Sequence, residues 1–355
     1  MKALTATSLG HRRPGPRLTA AIGVAVTACL GATAVPATAQ DAFPSEPFTY
    51  IVPFSSGGTT DLNARVFEKF WSEQFGTEMK VEYVSGAGGQ VGWDALVERQ
   101  PDGYTVAGNN LPHVIMQPIF RDTNYTTQDH VDGAISGLVT DPEMITVHQD
   151  SEYEDIHDLV DAAKETPGSI TVGIVGKFTG DWLGLKLFEQ ATGTDFAEVV
   201  FPGSRPTVAA LLGGHIDAMV GNTGDIKTLG PENVRTLAVA AEETPDVLKP
   251  YVDQIGAPPA HEEGIDWYAA IHRGLVTVPG TPDARVETIR ENVRAITETD
   301  AYAEEMQKVG LPMLNRPGED WADFVEQRKQ VIYGVLEDLG YIEVEDGEVV
   351  EVLKR

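Results

Sequence analysis

The sequence predicts an α/β protein folded as two lobes with a cleft between them. Three observations carry this expectation. Short strand-like runs alternate with helical runs along the chain, the pattern of a helix-covered sheet. Four times an apolar strand ends in a loop of glycine, serine or threonine and a helix follows. Roughly 315 of the 355 residues follow an N-terminal leader, a length that suggests two lobes rather than one.

The leader comes first in chain order. Residues 1–39 contain Lys2, Arg12, Arg13 and Arg17 but no acid, then run small and apolar from Leu18 to Ala34. That is the order of an export signal peptide. The Ala37-Thr38-Ala39 site favours simple cleavage after Ala39. Val26-Thr27-Ala28-Cys29 has the look of a lipobox, so lipid anchoring through Cys29 is the alternative. Cys29 is the only cysteine, which leaves the exported chain no thiol for disulfides or metal.

The first junction spans residues 50–65, YIVPFSSGGTTDLNAR. The apolar run ends at Val52. Pro53, Phe54, Ser55, Ser56, Gly57, Gly58, Thr59 and Thr60 form the loop, and Asp61 is expected to open a helix. Leu62, Val66, Phe67, Phe70 and Trp71 recur at helical spacing, and Gly76 is a stop signal. Such a helix start offers unpaired N–H groups and the positive end of a dipole, a natural seat for an anion. Asp61 is therefore expected to cap the helix or tie the loop, not to touch the anion.

The second junction has a strand over Lys80–Val84, a loop over Ser85–Gly89 and a helix from near Val91. A strand over Tyr104–Ala107 then leads to Asn109, Asn110 and His113. The third runs from the strand Ile170–Val175 through Gly176, Lys177, Phe178, Thr179 and Gly180 to a helix over Asp181–Ala191. The fourth ends a strand near Phe201. It carries Ser204 and Arg205 before a helix with Pro206 in its first turn, which Gly213-Gly214 close. A strand over Ile216–Val220 leads to Asn222. Asp141-Pro142 and Pro258–Gly264 are the expected crossing points, so residues 41–140 with 266–355 form one lobe and 141–265 the other. Further on, the pattern predicts a strand over Ala269–Val278, a helix from Thr281-Pro282-Asp283 to about Thr297, and a closing helix over Asp320–Leu339. The tail Ile342–Leu353 either pairs or frays. Open α/β sheets bind ligands at the carboxyl ends of their strands, which places all four loops in the cleft.

Charge and motif spacing exclude several function classes. With the leader removed, 22 bases face 54 acids, a formal charge of −32, which argues against nucleic acid. Gly86-Ala87-Gly88-Gly89-Gln90-Val91 fails the dinucleotide spacing because Val91 stands where the third glycine belongs. Gly176-Lys177 lacks the Ser or Thr of a phosphate loop, since Phe178 stands there. The histidines lack metal spacing, and no G-x-S-x-G or paired base marks a hydrolase. No cofactor and no enzymatic activity is expected. Lys177 and Arg205 lie in helix-start loops of a base-poor chain; each is either a surface ion pair or a partner for a ligand carboxylate.

These segments together resemble the substrate-binding receptors of tripartite tricarboxylate transporters, also called Bug receptors. FPSEPFTYIVPFSSGGTTDLNAR resembles their N-terminus. SGAGGQVGWDALVERQPDGYTV, FPGSRPTVAALLGGHIDAMVGN and GLVTVPGTPDARVETIRENV continue the likeness in order. The resemblance implies a two-lobed periplasmic-binding-protein fold, type II-like, of the Venus-flytrap kind. It implies an extracytoplasmic, monomeric receptor that holds a small organic carboxylate and docks on membrane permease subunits. Carried over by position, the contacts are Phe54–Thr60, Gly88, Gly89, Asn109 and Asn110 from the first lobe, and Gly176–Thr179, Ser204 and Asn222 from the second. One stretch departs from the family. Where small residues and then histidine are common, this chain has Lys177-Phe178-Thr179-Gly180-Asp181, and Arg205 stands in a loop where small residues are usual. Those changes point specificity at Lys177 and Arg205. Citrate, dicarboxylates, aromatic acids, amino acids and nicotinate-like acids all satisfy this reading. A sensor subunit reporting the same ligand to a membrane kinase is the rival; impaired uptake in a deletion strain separates the two.

Overall fold

The chain is described by a computed structural model covering residues 43–225, 230, 232–241, 249, 253 and 255–354. The expected export signal, with Cys29, lies outside these residues. Among the described residues no helix is long and apolar enough to cross a membrane.

The first stretch forms β1 (Phe48–Val52), α1 (Thr59–Phe75), β2 (Met79–Tyr83), α2 (Gln90–Val97) and β3 (Thr105–Leu111). Helices α3 (His113–Phe120) and α4 (Thr127–Asp132) follow, and β4 (Ala134–Pro142) then runs through Glu143 into β5 (Met144–His148). The middle stretch contains α5 (Ile156–Glu165), β6 (Thr171–Val175), α6 (Gly180–Thr192), β7 (Ala197–Phe201), α7 (Ser204–Leu212), β8 (Ala218–Gly221) and β9 (Val234–Val239). The chain returns as β10 (Ala270–Thr277), α8 (Asp283–Thr297), α9 (Asp300–Lys308), β11 (Met313–Pro317) and α10 (Glu319–Asp338). It ends in a hairpin of β12 (Ile342–Glu345) and β13 (Glu348–Val352), so the tail pairs.

Two sheets repeat one plan. The larger has the order β11-β4-β10-β3-β1-β2 and the smaller β7-β6-β8-β5-β9. In each, three parallel strands meet an antiparallel fourth: β10 beside β3, and β5 beside β8. Parallel strands need helical crossovers, which bring α1, α2, α6 and α7 onto the sheet faces. Every crossover starts at a strand's carboxyl end, so the predicted loops gather along one rim of each sheet.

Local chemistry sets the element ends. Helix α1 begins at Thr59, two residues before the expected Asp61, because Gly58 is extended and already serves as N-cap. Gly76 closes the helix in the left-handed conformation, at φ 69°. Its apolar face buries Phe67, Trp71 and Phe75, and the Trp71 and Phe75 rings stack at 3.9 Å. Gly137 of β4 and Gly274 of β10 are register partners. A side chain on either would collide with the fully buried Trp321 indole of α10, so the glycine pair makes the slot that docks this helix. Truncating such an indole to alanine costs about 3–5 kcal/mol.

Candidate ligand cleft

The strand-end rims of the two sheets face each other around a small cavity of about 30 Å³. Its larger-sheet wall comes from Phe54, Ser55, Gly58, Thr59, Thr60, Asn110, His113, Ile271 and Arg273. Val175, Asp181, Ser204 and Asn222 close it from the smaller sheet. The space holds about two waters, so these jaws are shut and anything larger enters only when they part.

Two helix N-termini meet here from opposite sheets. Gly58 caps α1 and Gly203 caps α7, and neither start receives a side-chain cap. A Cβ on Gly58 would stand 3.7 Å from Ser204 Oγ, and one on Gly203 2.6 Å from Ser55 Oγ. Gly203 has no room for a side chain there, whereas a Cβ on Gly58 would make ordinary contact. Asp61 behaves as a loop tie. Its carboxylate accepts from Gly57 N at 2.7 Å, Ser56 Oγ at 3.3 Å and Tyr83 Oη at 2.8 Å, and it pairs with Arg65.

The other sequence-predicted residues lie around the cavity rather than on it. Ser56 and Gly57 serve the Asp61 tie. The Gly57 backbone lies against the Arg205 guanidinium, which is exposed at the mouth. Gly88 O accepts from Gln117 Nε2 at 2.8 Å, and Gly89 packs on Trp93 and Phe54. Asn109 is fully buried in β3, and neither of its side-chain polar atoms has a partner. Gly176 approaches Gly88, and Thr179 caps α6 by accepting from Trp182 N.

Lys177 and Phe178 belong to a contact between the sheets. The exposed Lys177 Nζ is 3.6 Å from Glu198. Phe178, at φ 59°, stacks on Phe120 with ring centres 4.4 Å apart. The Arg121 guanidinium lies 5.3 Å from the Phe178 ring centre, and Arg121 donates to Lys177 O at 2.8 Å and to Ala87 O.

Sequence reasoning missed the polar floor of the cleft. Arg273 of β10 is buried, donating to Asp141 Oδ2 at 2.7 Å and to Asn222 Oδ1 at 2.9 Å. Around it stand the buried carboxyls of Asp141, Glu143, Asp181 and Asp225. Thr223 donates to Asp141, Asn222 Nδ2 to Glu143 Oε2 at 2.9 Å, and Val175 N to Asp181 Oδ2 at 3.0 Å. Burial and then the charge of Asp225 push Asp181 up to about 7. Burial and then Asp141 push Asp225 up to about 6. Burial, reinforced by Asp181, raises Glu143 well above the carboxylate range. Burial raises Asp141 against the pull of Arg273 and Thr223. Burial and then the charges of Arg273 and Arg121 hold His113 down to about 3, so its ring is neutral. Asp181 carried one sequence signal: it ends the Lys177-Phe178-Thr179-Gly180-Asp181 stretch that departs from the resemblance noted above. Arg273 carried another, as a lone base inside an apolar strand.

The family model described as tripartite tricarboxylate transporter family receptor matches residues 63–340. The chain belongs to that receptor family. Receptors of this kind are solute-binding proteins, and this one is not an enzyme. It is 27% identical over 329 residues to a Pseudomonas sp. (strain P51) protein from the tcbD-tcbE intergenic region, covering 91% of this chain and 93% of that protein. Its fold matches the periplasmic binding protein BugD with a TM-score of 0.76, at 23% identity over 84% of this chain and 99% of BugD. It matches an R. palustris protein with adipate equally well, at 0.76 and 24% identity over 84% and 98% of the two chains. The receptor thus has the two-lobed periplasmic-binding-protein fold.

Proposed function

We propose that this receptor captures a small organic carboxylate between its lobes, outside the cytoplasm. It then delivers the ligand to the membrane permease subunits of a tripartite tricarboxylate-type transporter. In this reading residues 41–140 with 266–355 form one lobe, residues 141–265 the other, and the receptor acts as a monomer. The observation that carries it is the meeting of two uncapped helix N-termini, at Gly58 and Gly203, across the cleft. Each presents first-turn N–H groups and a dipole end that favour an anion. Ser55, Thr59, Thr60 and Ser204 add hydroxyls. Only the closed form brings both sets of donors to one carboxylate, so binding favours closure. The likeness to a protein with adipate accords with this.

A thermal-shift screen against a carboxylate library tests the reading, because a ligand bound only by the native state raises its melting temperature. Gly58→Val is the matched control. Gly58 has φ −85°, a conformation valine adopts, and its added methyls project between the helix starts. The variant is expected to fold, with an unchanged circular dichroism spectrum, and to lose carboxylate binding. Normal calorimetric binding by this variant would sink the proposal.

A further inference from the structure

The cleft mixes two chemistries. The two helix N-termini border it and Asp181 lines it beside them, while Asp141, Glu143 and Asp225 are buried behind, Asp225 bonded to Ser204, with Arg273 the buried guanidinium among them. Arg273 is already engaged, with Asp141 and Asn222. Lys177 and Arg205 are exposed outside the cavity and add no buried positive charge. A second ligand carboxylate placed against this floor would meet three carboxyls beyond the one that Arg273 neutralises. A ligand cation there would meet its counter-charge. Buried polar atoms also lack partners: Asn110 Oδ1 and His113 Nδ1 on cavity-lining residues, and Glu143 Oε1 behind them. Unsatisfied buried polar atoms invite a partner.

We propose that the captured ligand is an amino carboxylate, whose ammonium group is held by Asp181 while its carboxylate sits on the helix starts. This rests on the carboxylate-receptor reading and narrows it. Asp181 lines the cavity at the start of α6 and is held by Val175 N. The groups facing it are Arg273 of β10, Asp225 after β8, Glu143 between β4 and β5, Asp141 at the end of β4, and the neutral His113 of α3. Unliganded, the Asp181 carboxyl is largely protonated below about pH 7. An arriving ammonium favours its ionised form, so binding releases a proton. Affinity for an amino carboxylate therefore rises with pH through 7. A dicarboxylate that accepts a hydrogen bond from protonated Asp181 shows the opposite slope.

The experiment is calorimetry at pH 6 and pH 8 with matched probes. One set is the amino acids and ω-amino acids from glycine to 6-aminohexanoate; the other is their des-amino acids together with succinate, malate and adipate. The expected result is an amino carboxylate bound at least tenfold tighter than its des-amino partner, more tightly at pH 8 than at pH 6. Asp181→Asn should erase that preference, and Asp181→Glu should restore part of it. Dicarboxylates that bind as tightly as any amino carboxylate, lose affinity as pH rises and are blocked by Gly58→Val overturn this inference while sustaining the carboxylate receptor. A preference for the amine that survives Asp181→Asn overturns the role of Asp181. If no carboxylate of either set binds, both readings fall.

Discussion

The two jaws of the cleft are built from the same plan and carry opposite chemistry. Both are strand-end rims of six and five strands in related order, and each contributes one uncapped helix start, α1 after β1 and α7 after the edge strand β7. The larger-sheet jaw is mostly backbone, hydroxyl and amide: Ser55, Gly58, Thr59, Thr60 and Asn110. The smaller-sheet jaw adds carboxyls at its base, Asp181 and Asp225, with Glu143 at the crossing between sheets. In the proposed reading a shared backbone plan supplies a general anion seat, and side chains that topology gathers beneath it would set what else the ligand carries. Arg273 is where the two chemistries meet, since it reaches from β10 to Asp141 and to Asn222 beyond β8.

Removing that meeting point is expected to have the largest effect. Arg273→Met leaves Asp141 buried without its cation, and breaking a buried pair from one side costs about 3–5 kcal/mol. Denaturant unfolding should show the loss, and it should be smaller at pH 5 than at pH 8, because protonated carboxyls need no partner. An equal loss at both pH values would mean that Arg273 acts by packing alone.

The acidic jaw should next reveal itself in the pH dependence of stability. Asp181 and Asp225 titrate near 7 and near 6 when folded, raised above about 3.9 in the unfolded chain. Between those values the folded state binds more protons, so stability falls as pH rises from about 4 to about 7. Thermal melting of the unliganded receptor should drop across this window. Asp181→Asn should flatten the drop, whereas Thr60→Val in the other jaw should leave its slope unchanged. A wild-type melting temperature that climbs from pH 5 to 7 would contradict the assignment.

The same contrast explains what could be read in the chain. The strand-end junctions were legible because they are local: strand, glycine loop and helix start lie within about a dozen residues, and periodicity marks each. Even the support role of Asp61 followed from its place in the first turn. The acidic floor was not legible. Asp141 lies at the end of a strand, and Asp181 and Asp225 lie in helical turns, all ordinary positions in a chain with 54 acids. Their gathering depends on contacts such as Thr223 to Asp141, 82 residues apart, and Arg273 to Asp141, 132 apart. Strand order creates those contacts, and no local pattern encodes strand order. Lys177 and Arg205 stood out for the opposite reason, as rare bases in visible loops.

A smaller effect is expected at the contact that holds the jaws together outside the cavity. Arg121 donates across the sheets to Lys177 O and covers Phe178, which stacks on Phe120. A charged donor to a carbonyl contributes about 1.5–3 kcal/mol, less where it is solvated. Arg121→Ala should therefore shift the receptor toward open forms, seen as a larger radius of gyration in solution scattering. It should weaken ligand binding about fivefold to tenfold, near 1–1.4 kcal/mol. Unchanged scattering and affinity would show that the shut jaws do not depend on this contact.

The smallest change separates the two loop bases. Lys177 Nζ faces Glu198, and half of its side chain is in solvent at 52% exposure. An exposed pair of this kind contributes about 0–1 kcal/mol. Arg205 is also exposed, but it lies on the Gly57 backbone at the mouth, beside the helix start proposed to receive the anion. Lys177→Met should accordingly leave affinity within about twofold, while Arg205→Met weakens it more and makes it less sensitive to salt, because a steering charge near the mouth has been removed. Calorimetry in low and high salt distinguishes them. A tenfold loss from Lys177→Met would place its ammonium on the ligand after all. The jaw would then turn this base inward on closing over cargo, and the smaller-sheet jaw would carry a cation to offset its acids.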